Sequence, residues 1–109
     1  MGVDVVLVEV EQRGTSSKKR RLTSVASVQD RGDLFSALCA TSSLPMLNRV
    51  DPYRSQILTS VEMPQFLSEI DVTRDLVKEQ RERDVLEKVR ELAERCAEAT
   101  TLELHLEGD

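Results

Sequence analysis

Residues 63–107 read MPQFLSEIDVTRDLVKEQRERDVLEKVRELAERCAEATTLELHLE, and along them the spacing of apolar side chains changes from a helical period to a period of two. Phe66, Leu67, Ile70 and Val77 fall on one helical face. The segment KEQRERD at 78–84 then has no apolar side chain, after which Val85, Leu86, Val89, Leu92, Ala93, Cys96 and Ala97 resume the helical spacing. At about 100° per residue the second stripe lies roughly a quarter-turn from the first, so one straight helix would rotate its face off the core. The spacing therefore predicts two helices, near 63–78 and 83–99, with a break in the charged segment; a single long curved helix is the alternative. Pro64 suits a first helical turn, where its missing N–H costs nothing, and Glu62 just ahead favours the helix dipole. Asp84 with Lys88 and Glu91 with Arg95 have the i,i+4 spacing of surface ion pairs. Beyond residue 100, Leu102, Leu104 and Leu106 alternate with Thr101, Glu103, His105 and Glu107, which predicts a strand with one face in water.

Further towards the amino end the strand period returns. GVDVVLVEVEQ, residues 2–12, has Val3, Val5 and Leu7 on one face and Val6, Val8 and Val10 on the other, the pattern of a strand covered on both sides. RRLTSVASV, residues 20–28, permits a weaker second strand through Leu22, Val25, Ala26 and Val28. The polar, Gly-containing stretch between them reads as the loop of a hairpin. Its basic run, Lys18-Lys19-Arg20-Arg21, is expected at the solvated tip, within a basic loop spanning 13–21. DRGDLFSALCATSSLP, residues 30–45, predicts a helix from about Asp33 to Thr41, capped by Asp33 and ended by Ser42-Ser43 before Pro45. The Arg31-Gly32-Asp33 triplet fits a turn leading into that helix. A Pro turn at Asp51-Pro52 precedes a short strand at about Arg54 to Thr59. The expected architecture is a single α+β domain over 1–109, a three- or four-stranded sheet with about three helices packed mainly on one face.

The formal charge is −5. Arg13, Lys18, Lys19, Arg20 and Arg21 supply five positive charges to residues 13–21, which leaves −10 for the rest of the chain. An acidic remainder repels a polyanion, so nucleic-acid binding is disfavoured. Two Phe, one Tyr and no Trp leave little for base stacking. The first residues lack the pattern of a signal peptide or a membrane span, and Cys39 and Cys96 each sit in an apolar helical pattern. A reduced, cytoplasmic setting is expected.

Three residues of the soft or borderline ligand kind are available, Cys39, Cys96 and His105, with none of the paired spacings of a zinc site, so neither metal nor cofactor is expected. The four glycines are scattered, without a phosphate-loop pattern. Arg49, Asp51, Tyr53 and Arg54 form the most site-like polar group: they flank a Pro-fixed turn and include the sole Tyr together with Arg, types enriched at binding hot spots. A second polar group, Glu103, His105 and Glu107, shares one strand face and could serve a general-base hydrolase. Its commoner reading is an exposed mixed-charge strand face. The leading expectation is a non-catalytic protein-binding module, of inhibitor or adaptor type, with a protein partner or a second copy of the chain.

The blocks RVDPYRSQILTSVEMPQFL, LAERCAE and LELHLEGD resemble those of a group of small, uncharacterised bacterial single-domain proteins. The likeness extends over half to most of the chain. It implies a bacterial single-domain protein and carries no activity with it.

Overall fold

The computed structural model describes residues 2–12 and 20–108. Most of the expected basic loop, 13–19, lies outside the described residues. Four strands, β1 (Asp4–Gln12), β2 (Arg20–Val28), β3 (Ser55–Thr59) and β4 (Leu102–Glu107), form one sheet in the order β2-β1-β4-β3, with each neighbouring pair antiparallel. Among the described residues four helices accompany it: α1 (Leu34–Thr41), α2 (Pro45–Asn48), α3 (Met63–Leu76) and α4 (Gln80–Ala97). The fold is α+β with an open sheet. Arg20 and Arg21 belong to β2 rather than to a loop, and the register sets Arg21 opposite Glu11.

The alternation of side chains along each strand decides which face is buried. Val3 leading into β1, then Val5 and Leu7, with Leu58 of β3 and Leu104 and Leu106 of β4, point into the core and are almost fully buried. On the helical side α4 packs against β1, β2 and β4 through Val85, Leu86, Val89, Leu92, Ala93 and Cys96. Each large aliphatic side chain so buried contributes about 1.5–3 kcal/mol. The expectation that β1 would be covered on both sides is not met by a second layer. Val6 and Val10 are only half-buried on the outer face, and Val8 is shielded within the sheet, where the register places Glu103 and Ser24 on either side of it.

Two helices do occupy 63–99. Val77 takes an extended conformation, with ψ 149°, and ends α3; α4 starts three residues later. The buried face of α3 is Met63, Phe66, Glu69, Ile70 and Thr73, so the stripe includes two polar residues that periodicity in hydrophobicity passes over. Glu69 has a specific function there. Its carboxylate accepts hydrogen bonds from the backbone N–H groups of Met46 (2.9 Å) and Leu47 (3.0 Å) and from Nε2 of Gln65 (3.0 Å). It thereby caps α2, a single turn that begins with Pro45 in the first-turn position; Pro45 starts this helix, besides following the end of α1. Glu62 also acts more locally than a dipole argument implies. It accepts from the Thr59 N–H (2.9 Å) and hydroxyl (3.1 Å), forming a capping box on the 3₁₀ turn Ser60–Glu62 that leads into α3.

The expected cap of α1 is corrected by three residues. Asp33 has a left-handed backbone, φ 57°, following Gly32 at φ 68°, and makes no side-chain cap to the helix. Asp30 does this instead, accepting from the N–H groups of Phe35 (2.8 Å) and Ser36 (2.9 Å). The same buried carboxylate accepts from the N–H of Val3 (2.9 Å), and the Asp30 N–H donates to Oδ1 of Asp4 (2.8 Å). One side chain thus fastens the start of the central strand to the start of a helix. Surface charge pairing also departs from the i,i+4 expectation within α4. Arg90 grips Asp71 of α3 through Nε (2.7 Å) and Nη2 (3.3 Å) while also meeting Glu94, Arg74 of α3 pairs with Glu87 of α4, and Asp84 accepts from Nε2 of Gln80 (2.8 Å).

Asp30→Ala should cost about 3 kcal/mol or more, because it strands backbone donors that a charged acceptor now satisfies. Asp30→Asn, which keeps one acceptor oxygen, should cost less, and urea denaturation midpoints report both. For the α3–α4 clasp, the hydrogen bond from Arg90, reinforced by the Arg90 and Arg74 charges against an opposing burial effect, holds the Asp71 carboxyl below the usual carboxylate range. A depressed folded-state pKa stabilises above the ordinary value and ceases to do so as pH falls through the depressed one. Arg90→Gln should therefore unfold at lower urea than the wild type at neutral pH, and the difference should shrink as pH is taken below the ordinary carboxylate range.

Candidate functional site

The turn joining α2 to β3 is built on Leu47 and Val50, both buried. Asp51 then folds the backbone over itself: its Oδ1 accepts from the Tyr53 N–H (2.8 Å) and its carbonyl from the Arg54 N–H (3.2 Å). This is an Asx turn with Pro52 fixing its second position. The far end of β4 holds the turn in place. Gly108 donates its N–H to the Arg54 carbonyl (2.9 Å), and a Cβ on Gly108 would lie 2.5 Å from that oxygen and 2.6 Å from the Pro52 carbonyl group. The close approach requires glycine.

Arg49, Asp51 and Arg54 line a hollow of about 240 Å³, together with Val50, Ser55, Gln56 and Leu106. Arg54 and Asp51 approach to 3.7 Å across its solvent side. Three of the four residues singled out in the sequence thus come together. Tyr53 stands outside the hollow with 66% of its surface exposed, rather than packing over the core edge.

Sequence reading missed the apolar side chains that continue from this turn. Ile57 is 50% exposed on β3 and Val61 is 83% exposed just beyond it. The strand runs along the open border of the sheet. Because Gly108 donates to Arg54 across the β3–β4 register, residues 54, 56 and 58 are the bonded positions, and the N–H and C=O groups of Ser55 and Ile57 point to the open side. The Thr59 N–H points the same way and is occupied by Glu62. The period-two pattern of SQILT was the available signal for Ile57. Whether β3 was an edge or a centre depends on strand order, which local pattern does not contain.

Glu103 and His105 of β4 lie on the outer face, with Nε2 of His105 3.0 Å from Oε1 of Glu103 and side-chain exposures of 12% for His105 and 15% for Glu103. Glu107 is exposed at the strand end, opposite Asp4 and Ser55, and is not part of that pair. The register puts Val6 and Ile57 on either side of His105 and Val8 and Thr59 on either side of Glu103. These neighbours provide apolar packing, and the one hydroxyl among them, that of Thr59, is bonded to Glu62. Cys39 belongs to the core on the opposite face of the sheet, which separates it from His105. No group of three or more potential ligands able to hold a metal ion occurs among the described residues, and no helix among them is long and apolar enough to cross a membrane.

No family model, curated protein or solved structure matches the chain.

Both thiols are buried away from reagents. Burial, with the Asp30 charge adding to it, pushes the Cys39 thiol up to about 12, and burial with the Glu103 and Glu62 charges pushes Cys96 up to about 11. A thiol reagent applied to the folded protein at about pH 8 should modify neither within minutes, whereas urea-unfolded protein should react at both. Rapid labelling of either in the native state would contradict this placement.

Proposed function

We propose that this is a cytoplasmic bacterial protein that acts without catalysis by binding another protein, as an immunity-like or antitoxin-like inhibitor or as an adaptor. The observation that carries the reading is the β3 border: a strand with outward-facing backbone groups, flanked by Tyr53, Ile57 and Val61 and entered through the Arg49–Arg54 turn. An extended segment of a partner can add to such an edge, with main-chain bonds giving affinity and the exposed side chains giving selectivity.

The other border of the sheet is less suited to this. β2 carries a bulge at Val25, where the register shifts between Leu7 and Val8, and begins with two arginines. Bulges and edge charges are devices that prevent strand pairing. β3 has neither: its five residues, SQILT, contain no charge, no proline and no bulge. The formal charge of −5 adds a long-range component that favours a basic partner and speeds encounter at low salt.

The test uses Ile57→Lys, which places a charge on the edge without disturbing the core, and Tyr53→Ala. Tagged wild-type protein should recover a stoichiometric protein partner from native lysate, or associate with itself in sedimentation; Ile57→Lys should lose that association with its thermal midpoint unchanged. Tyr53→Ala should weaken it by about 2 kcal/mol. Association that is equal in wild type and Ile57→Lys, or a wild-type bait that recovers nothing and stays monomeric, overturns the reading.

A further inference from the structure

A second cavity, larger than the hollow beside Arg54, lies at the opposite border of the sheet, between the end of β2, the turn that follows it and the first half of α4. Its volume is about 560 Å³, well above the hollow beside Arg54 and within the range of small-molecule sites. Arg81, Asp84, Val85 and Lys88 reach it from α4, at the i, i+3, i+4 and i+7 spacing of a single helix face. Arg31 lines it from the turn, and Val28 and Leu34 join Val85 as apolar lining.

The charge in this cleft runs against that of the molecule. Three cationic side chains meet one carboxylate, in a chain whose formal charge is −5. Arg81 already pairs with Glu79 at 2.8 Å. Arg31 and Lys88 have no carboxylate partner among the described residues, although acids are abundant on the surface. The cleft also adjoins the amino end of α4, an eighteen-residue helix whose first turn includes Arg81, so the helix dipole adds to the positive potential. Two consecutive left-handed residues, Gly32 and Asp33, shape the turn that presents Arg31.

We propose that this cleft binds a small organic anion, with a phosphate or carboxylate head between Arg31 and Lys88 and an apolar body against Val28, Leu34 and Val85. Arg81 adds to the field at the mouth. Ser27 and Gln29 supply hydrogen-bonding groups at the β2 side. Asp84, held by Gln80, is the one repulsive group, and it limits affinity for the head while leaving an acceptor for a ligand hydroxyl. The site is at the border of β2 and the partner edge is β3, so the two surfaces are separable by mutation.

Calorimetric titration of the full chain at low salt with phenyl phosphate and with benzoate, using phenol as the uncharged control, tests the assignment. At least one anion should saturate with a Kd of about 1 mM or below, while phenol should not bind. The tighter of the two anions identifies the head group. Arg31→Ala and Lys88→Ala should each weaken binding about tenfold, Asp84→Asn should tighten it a few-fold, and Ile57→Lys should leave it unchanged. Absence of saturation by either anion, equal binding of phenol, or indifference to both Arg31→Ala and Lys88→Ala overturns the proposal.

Discussion

The carboxylate of Asp30 is the contact on which the rest of the structure depends. It lies where three parts of the chain meet, the start of β1, the end of the β2 connection and the amino end of α1, and it satisfies backbone donors from two of them. A buried carboxylate is costly unless its oxygens are occupied, and buried N–H groups are costly unless accepted. Each removes the penalty of the other. The same solution recurs with Glu69, which caps α2 from within the buried face of α3. In both cases a charged side chain acts as a structural joint between elements distant in sequence.

These joints determine how the helical layer rests on the sheet. α4 carries most of the apolar contact with the strands, α3 is clasped to it by Arg90 and Asp71, and α1 and α2 are held by their carboxylate caps. With the helices confined to one face, the other is left to the strands' own side chains. Val6 and Val8 are flanked by cross-strand neighbours there, and His105 and Glu103 lie on the same face. The histidine–glutamate pair is thus explained by sheet packing, without a nucleophile or a metal set beside it among the described residues.

The two surfaces proposed for binding lie at opposite borders of the sheet. At β3, apolar side chains and unused backbone groups favour a polypeptide; at the β2 and α4 cleft, concavity and cationic charge favour a small anion. Their chemistry differs because their construction differs. One is the exposed end of a hydrogen-bond ladder, and the other is a gap between a strand end, a left-handed turn and a helix start.

The sequence by itself determined the elements whose burial is periodic: the Val-rich first strand, the two amphipathic segments within 63–99 and the Leu-alternating last strand were legible because each must present a continuous apolar face. It also placed Arg49, Asp51, Tyr53 and Arg54 together at the Asp51-Pro52 turn, while the hollow that Arg49, Asp51 and Arg54 share needed Leu106 of β4 as well. Tertiary structure alone decided the cap by Glu69, since a polar residue within an apolar stripe gives no sign of the distant donor it will meet, and the link from Asp30 to Val3, 27 residues away, which makes Asp30 rather than Asp33 the cap of α1. It alone decided that α2 forms, that β3 is an edge and that Arg31 and Lys88 line one cleft. Those features depend on strand order and on contacts between residues far apart in sequence, such as Met46 with Glu69 and Asp4 with Glu107, about which a local pattern of side chains holds no information.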